Sequence, residues 1–318
     1  MTTESRPRIG VSACLLGRQV RFDGGHKKHD FVHDTLSRFV EFVPVCPELE
    51  SGMPVPRESL RLITGPLGLK LVGNKSGKDS TESMSTYSAA RVAELAAADL
   101  DGFVLKKDSP SCGLARVRVY KEGDAGPPGR DGTGLFAAHL RDRLPALPLA
   151  EEGWLVDAGL RECFLDRIFT HHRMRTSLLN APSRGNLIAF HSAHKLLYMA
   201  HSPVKYRQLG RLVAGVADRP LTETLREYTA LAMAALGDRA TPGKQANVLQ
   251  HIMGYFKDAL TPAEKQELLV LIDDYRTGLH GVIAPLTLLV HYLRTHDVGD
   301  WLDNQVYFQP YPKALSPR

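Results

Sequence analysis

The chain has 318 residues and a mass of 35.1 kDa, a length that predicts two domains, each large enough to bury its own core. Hydrophobic residues make up 43% of the chain and charged residues 24%, a composition typical of globular proteins. We expect no secretory signal, because MTTESRPRIG has no apolar segment. We also expect no membrane span, because the longest weakly polar stretch, Gly281–Val290, is too short. We therefore expect a cytoplasmic protein with no membrane partner.

The first half of the chain alternates strand-like and helix-like segments. In order they are Ile9–Ala13, Phe31–Phe39, Glu41–Val45, Leu67–Val72, Ser83–Leu100, Gly102–Leu105, Val117–Tyr120 and Gly134–Arg143. Alternation of this kind is typical of βαβ units, so we predict an α/β domain that is Rossmann-like, with a mostly parallel sheet and flanking helices. A stretch rich in Pro and Gly, residues 123–134, predicts a surface loop. We place the domain boundary near residue 150, which gives domains 1–150 and 151–318.

The second half shows apolar residues at helical spacing and few strand-like segments. The predicted helices are Leu155–Phe169, Leu187–Ala200, Leu221–Leu236, Lys244–Leu260, Pro262–Thr277 and Pro285–Thr295. Thr261 is followed by Pro262 and then Glu264, a pattern typical of a helix N-cap. These segments predict an all-α C-terminal domain.

Three of the four cysteines, Cys14, Cys46 and Cys112, each follow a short apolar run. In a parallel sheet the carboxyl ends of the strands share one edge, so these cysteines are expected to converge. Three thiolates would leave one iron of a four-iron cluster open. Zinc with a bound water is the competing interpretation, although no Cys-x-x-Cys pair is present. Plain packing is a third possibility, and it is the expected role of Cys163 in the helical segment LRECFLDRIF.

Groups suited to proton transfer lie close to these cysteines in the sequence. Glu48 follows Cys46 in the segment Cys-Pro-Glu, and Ser109 precedes Cys112 in Ser-Pro-Ser-Cys-Gly. A carboxylate beside an open metal site activates water or protonates a leaving group, and a hydroxyl orients either one. Asp108 and Ser111 lie at similar distances along the chain, and the sequence alone does not rank them.

Five spaced segments carry a resemblance to the thiouracil desulfidase family. They are SACLLGRQVRFDGG, VCPELESGMPVPRE, KSGKDST, GFVLKKDSPSCG and GTGLFAAHL, within about residues 6–145. The resemblance implies a [4Fe-4S] cluster held by three cysteines, which map onto Cys14, Cys46 and Cys112, with one iron left open. It also implies that Glu48 and Ser109 are the catalytic residues.

The resemblance further implies a hydrolytic reaction on a thiolated pyrimidine. The open iron would polarise the C=S bond, Glu48 would activate water, and Ser109 would orient a proton. Sulfur would leave as hydrosulfide, with no net electron transfer. Further candidates for contact with the substrate base or phosphate are Arg21, Asp23, Gly24, Arg57 and Ser111. The first four match family motifs, and they also have the residue types of turns and solvated charges.

A basic block marks the second half, because no Asp or Glu occurs between Arg167 and Ala217. Within it, the residues on one face of a predicted amphipathic helix are His191, His194, Lys195, Tyr198 and His201, about a third of the circumference. Pro203 is expected to end this helix. We expect that face to be exposed and to contact RNA phosphates, with a merely solvated face as the alternative. The candidate RNA-binding residues are His191, His194, Lys195, His201, Lys205 and Arg207.

Residues from about 186 to 295 also resemble a helical domain found fused behind the desulfidase domain, with GYFKDAL and EKQELLVLIDDYRTG as further matches. The resemblance implies a tRNA partner and desulfuration of 4-thiouridine in tRNA to uridine. Two alternatives stay open. One is the same chemistry on free thiouracil or a thiouridine nucleotide, and the other is a non-catalytic iron–sulfur sensor that binds nucleic acid. Protein partners and the oligomeric state are not predicted.

Overall fold

The computed structural model describes residues 5–65, 68–121, 123 and 126–316. The chain divides into two compact units, Met1–Asp157 and Ala158–Arg318. In the described part of the chain, no helix is long and apolar enough to cross a membrane.

The first unit contains two four-stranded sheets. The strands are β1 (Arg8–Ser12), β2 (Glu41–Val45), β3 (Leu60–Gly65), β4 (Gly68–Gly73), β5 (Gly102–Leu105), β6 (Val117–Lys121), β7 (Gly129–Gly132) and β8 (Leu149–Glu151). The helices are α1 (Pro47–Glu50), α2 (Thr81–Ala96) and α3 (Leu135–Arg143). The first sheet has the order β2-β1-β5-β8 with every pair parallel, which confirms the predicted parallel α/β domain.

The second sheet was not predicted. Its order is β4-β3-β6-β7, with β3 and β6 parallel and the two outer pairs antiparallel. Strand β7 lies inside the stretch 123–134 that was predicted as a loop, because two of its glycines still pair with β6. The predicted loop residues 124 and 125, like the predicted strand residue 67, lie outside the described residues.

Apolar side chains of the first sheet form the core around the site. Phe103 of β5 and Phe136 of α3 are fully buried, with ring centroids 5.8 Å apart. Cys112 belongs to the same buried cluster. The carboxyl edge of this sheet is therefore backed by a packed and rigid core.

The second unit is all helical in its described elements. Its helices are α4 (Ala158–Arg173), α5 (Arg184–His201), α6 (Pro203–Ala214), α7 (Leu221–Leu236), α8 (Pro242–Met253), α9 (Pro262–Thr277), α10 (Ile283–Thr295) and α11 (Asp300–Asp303). Thr261 caps α9 as predicted, in a reciprocal capping box with Glu264. Pro203 ends α5 as predicted and starts α6, a helix that was not foreseen. Apolar residues from α5 to α10 form one core.

Candidate active site

The strand order brings the three cysteines to one edge of the first sheet. Cys14 lies just past β1, Cys46 directly follows β2, and Cys112 lies in the loop after β5. Parallel register between β1 and its two neighbours aligns the carboxyl ends of all three strands. As a result, all three cysteines line a single cavity of about 290 Å³. This is the edge where open α/β sheets form their binding crevices.

The three thiols are held away from water. Cys14 and Cys112 are buried, and Cys46 is partly buried. Burial raises the pKa of Cys14 to about 11, although nearby Lys106 opposes this. Burial also raises the pKa of Cys46 and of Cys112. A bound positive centre favours the thiolate, which is the metal-ligating form, and so opposes this effect of burial.

The donor set fits an iron–sulfur cluster. Three cysteine sulfurs are the soft ligands that such clusters use. Among the residues the structure describes, no three His, Cys, Asp or Glu side chains are grouped to hold a single metal ion. Cys14, Cys46 and Cys112 line the same cavity, so they are the residues that would hold a cluster there.

Glu48 enters the same cavity from α1 and is fixed there by Arg57. The guanidinium donates from Nε and Nη2 to Oε2 of Glu48 at 3.0 and 2.6 Å. Arg57 also donates to the carbonyl oxygens of Val20 and Pro54, at 3.0 and 3.2 Å. Only 6% of the Arg57 side chain is exposed, so the ion pair is shielded and geometrically defined. Arg57, a substrate-binding candidate from the sequence, is thus placed to orient Glu48.

Two serines continue the network from Glu48. Ser111 Oγ donates to Glu48 Oε1 at 2.6 Å. Because the Ser111 proton points to the carboxylate, Ser111 accepts at 3.0 Å from Ser109 Oγ. Ser109 in turn accepts from the backbone N–H of Cys112 at 3.1 Å. The hydroxyls therefore form a directed chain, Ser109 to Ser111 to Glu48. Ser111, which the sequence could not rank, is the serine that touches Glu48, whereas Asp108 lines the cavity but is exposed.

Close backbone packing holds the loop that carries these serines. A Cβ at Gly134 would lie 2.5 Å from the backbone of Ser111, so this position accepts only glycine without movement of the loop. Glu151, at the end of β8, accepts from the backbone N–H groups of Leu114 and Ala115 at 2.8 and 3.2 Å. The loop between Ser109 and Ala115 is therefore clamped on both sides of Cys112.

The loop after Cys14 carries three of the candidate substrate-binding residues. Arg21 lines the cavity, whereas Asp23 and Gly24 do not. Asp23 Oδ1 accepts from Gly25 N at 3.0 Å, and Gly24 has φ of 76°, which only glycine adopts without strain. Asp23 and Gly24 therefore form a turn beside the cavity-lining Arg21, and their contact with the substrate base or phosphate stays a prediction.

The structure adds a lysine–glutamate pair that the sequence reasoning missed. Lys106 and Lys107 line the cavity, and buried Glu152 ion-pairs with Lys106 and accepts from Lys107 N at 2.7 Å. Glu151 is the last residue of β8, and Glu152 directly follows it. The rule that identified the cysteines, polar residues at the carboxyl end of a parallel strand, could have found them.

The predicted RNA-binding face of α5 is largely buried, which corrects the expectation of an exposed basic face. His191, His194 and His201 are 3%, 2% and 1% exposed. Helices α6, α7 and α8 pack against α5, so neighbouring helices cover its polar side as well. Burial lowers the pKa of His191 to about 4 and that of His194 well below its ordinary value. Neither imidazole is a surface cation.

The other three RNA-binding candidates reach the surface to different extents. Lys195 is half-buried, and Lys205 donates to Asp238 Oδ2 at 2.7 Å. Arg207 is exposed. Arg211 follows one turn later on α6 and is also exposed. Of the six candidates, Arg207 on α6 is therefore the one that is exposed.

Two protein families match separate parts of the chain. Residues 9–152 match the family described as 2-thiouracil desulfurase, and residues 195–312 match the family described as protein of unknown function, DUF1722. The uncharacterized protein YbgA of Escherichia coli K12 is 35% identical over 155 residues, which cover 48% of this chain and 91% of that protein.

Two further similarities cover part of the chain. The uncharacterized protein YbbK of Bacillus subtilis 168 is 32% identical over 110 residues, 33% of this chain and 72% of that protein. A solved structure, the [4Fe-4S]-dependent thiouracil desulfidase TudS, is 30% identical, covers 48% of this chain and 94% of its own, and has a TM-score of 0.40. With its cysteine-lined cavity in residues 9–152, the chain belongs to the 2-thiouracil desulfurase family and carries a DUF1722 region behind that domain.

Proposed function

We propose that this protein hydrolytically removes sulfur from a thiolated pyrimidine, with a [4Fe-4S] cluster held by Cys14, Cys46 and Cys112. The observation that carries the proposal is the hydrogen-bonded chain from Ser109 through Ser111 to Glu48, which opens on the same cavity as the three thiols. The net reaction converts C=S and water to C=O and hydrosulfide, so it needs no external electron donor.

The protein residues supply proton transfer and orientation. When bound, the cluster would offer an iron with an open position for the substrate sulfur. Glu48 accepts a proton from the attacking water, a role that contributes typically 10²–10⁴-fold to rate. Arg57 holds the Glu48 carboxylate in its orientation by donating two hydrogen bonds to Oε2. Glu48 then gives this proton to the departing sulfur, which leaves as hydrosulfide, while the remaining hydroxyl proton is released to solvent as C=O forms, so the carboxylate returns to its starting state. Ser109 and Ser111 orient Glu48 through the hydrogen bonds that their hydroxyls donate toward it.

We further propose that the substrate is 4-thiouridine within tRNA. Support comes from the DUF1722 region behind the desulfurase domain and from exposed Arg207 and Arg211 on α6. Arginines spaced along a helix position an RNA backbone through its phosphates without reading sequence. The thiolated base leaves its stack to reach the cavity, because a stacked base hides its sulfur.

The test is an anaerobic turnover assay. The whole chain is reconstituted with iron and sulfide and incubated with tRNA that contains 4-thiouridine, while the absorbance of the thiolated base is followed. Free 4-thiouracil is assayed in parallel. Cys112→Ala should abolish turnover. Cys163→Ser is the control, because Cys163 is a buried cysteine of the second unit and a hydroxyl can keep its hydrogen bond to Asp238 O.

The possible outcomes are distinct. Turnover of the tRNA base that is lost in Cys112→Ala and kept in Cys163→Ser supports the proposal. Turnover of the free base alone would retain the desulfidase chemistry and overturn the tRNA substrate. Equal activity in both cysteine variants would overturn the assignment of the cluster to this cavity.

A further inference from the structure

A second cavity, of about 500 Å³, lies in the second unit between α10 and the segment 308–316. It is larger than the cysteine-lined cavity of about 290 Å³. Its volume lies within the range of small-molecule pockets in proteins. None of the residues that the proposed desulfuration uses lies in this cavity.

The wall on α10 has a regular pattern. Ile283, Leu286, Val290, His291 and Arg294 all line the cavity. Their spacing places them on one face of the helix. The first three are apolar and the last two carry ring nitrogens or a guanidinium, so the cavity changes from apolar to basic along the helix. With a rise of 1.5 Å per residue, the stripe from Ile283 to Arg294 is about 16 Å long and its apolar part is about 10 Å long.

The opposite wall adds a second cation and is already fixed in place. Lys313 and the partly buried ring of Phe308 line it. Its backbone is anchored by Arg173, which donates to Pro310 O at 2.7 Å, and by Tyr307, which donates to Gln245 Oε1 at 2.5 Å. The cavity is therefore preformed and does not need an ordering step before it binds a ligand.

The charged side chains that are described in the lining of the cavity are basic. Within the described residues, no Asp or Glu lines it, and neither Arg294 nor Lys313 forms an ion pair. A guanidinium and an ammonium in the lining favour a carboxylate, and the apolar stripe favours an elongated hydrocarbon. From this arrangement we propose that the cavity binds an aliphatic monocarboxylate, with its chain along Ile283, Leu286 and Val290 and its carboxylate at Arg294.

The test is calorimetric titration of the whole chain with decanoate, 1-decanol and uridine 5′-monophosphate. Decanoate should bind, and 1-decanol, which has the same chain without the charge, should bind about tenfold or more weakly. Arg294→Gln should weaken decanoate binding to a similar extent, and Thr287→Trp should block it by filling the cavity. Arg226→Gln is the matched control, because Arg226 is also an exposed helical arginine but does not line the cavity.

Both test positions are exposed, so circular dichroism and thermal unfolding should show folded variants. Equal decanoate affinity in wild type, Arg294→Gln and Arg226→Gln would overturn the proposal. So would equal binding of 1-decanol and decanoate. If the nucleotide binds and decanoate does not, the proposal of a carboxylate ligand is overturned and the site is assigned to a nucleotide. Because the readout is binding in the second unit, its failure leaves the desulfuration proposal unaffected.

Discussion

The Glu48 network of the first unit and the His201 network of the second unit use the same kinds of contact in different surroundings. Glu48 pairs with Arg57 and accepts from Ser111 at the edge of a cavity. His201 and Asp166 are 1% and 0% exposed, and His201 Nε2 lies 2.9 Å from Asp166 Oδ2. The first network faces a space that a substrate can enter, whereas the second is enclosed by helices.

The position of each network in the fold explains the difference. Loops that follow parallel strands end at an open edge, so their side chains remain accessible. A polar face of a helix stays exposed only if no other helix covers it, and α5 is covered on several sides. A cluster of titratable residues is therefore informative about function mainly when the fold leaves it open.

We expect the largest effect when a substitution removes the carboxylate of the first network. Glu48→Gln keeps the size of the side chain but removes the base, so we expect kcat to fall about 10²–10⁴-fold. The measurement is anaerobic turnover of 4-thiouridine in tRNA. Glu41→Gln is the control, since Glu41 is a mostly exposed residue of β2. Turnover within a few-fold of wild type in Glu48→Gln would remove Glu48 from the mechanism.

The next largest effect is expected on the stability of the second unit, when a substitution breaks the second network. Asp166→Ala leaves His201 buried without its charge partner, and we expect the second unit to lose about 3–5 kcal/mol of unfolding free energy. Denaturant unfolding followed by circular dichroism measures this loss. Asp303→Ala, at an exposed position of α11, is the control. A loss as small as that of the control would show that the pair does not stabilise the unit.

The same pair predicts a pH dependence. Burial lowers the pKa of His201, but its hydrogen bonds to Asp166 and Cys163 outweigh burial and raise the pKa to about 10. Because the folded state holds the proton more tightly, the stabilisation is complete below pH about 6.5 and is lost as the pH rises to about 10. Unfolding of wild type and Asp166→Ala across this range should show their difference shrinking with pH. A constant difference would contradict a charged His201.

A smaller effect tests the orientation of Glu48. Arg57→Gln removes the two-point contact to Oε2 but leaves the carboxylate present, so we expect kcat to fall up to about 10²-fold. Because Arg57 is placed to orient a catalytic group, KM should change much less than kcat. Arg57→Lys should restore only part of the rate, since an ammonium cannot reproduce the paired contact. A change confined to KM would instead make Arg57 a substrate-binding residue.

The smallest effect concerns the surface of α6. Arg207→Gln should weaken tRNA binding modestly and lower the slope of log affinity against log salt by about one contact. His191→Gln is the contrasting variant, because His191 is buried in the helical core and uncharged at neutral pH. Binding assays at several salt concentrations compare the two. A larger salt effect for His191→Gln than for Arg207→Gln would reverse our placement of the RNA contacts.

Local patterns predicted most of the elements but not how they pack. Helices α7 and α9 begin and end where apolar periodicity and proline predict. Strands β3, β7 and β8 were missed. Strands β7 and β8 are short and carry little periodicity, and the two buried residues of β3, Leu62 and Ile63, are adjacent and do not alternate with exposed ones. Gly134 illustrates the same limit, since its contact with Ser111 joins residues far apart in the chain.

By itself the sequence determined that Cys14, Cys46 and Cys112 follow apolar segments, and that Glu48 and Ser109 lie near them in the chain. Those are local facts, set by residue order. Only the tertiary structure decided that β2, β1 and β5 are neighbours and that Ser111 joins Ser109 to Glu48. It also decided that the histidines of α5 are buried. The physical reason is that burial and hydrogen bonding depend on contacts between distant segments, which local periodicity does not encode.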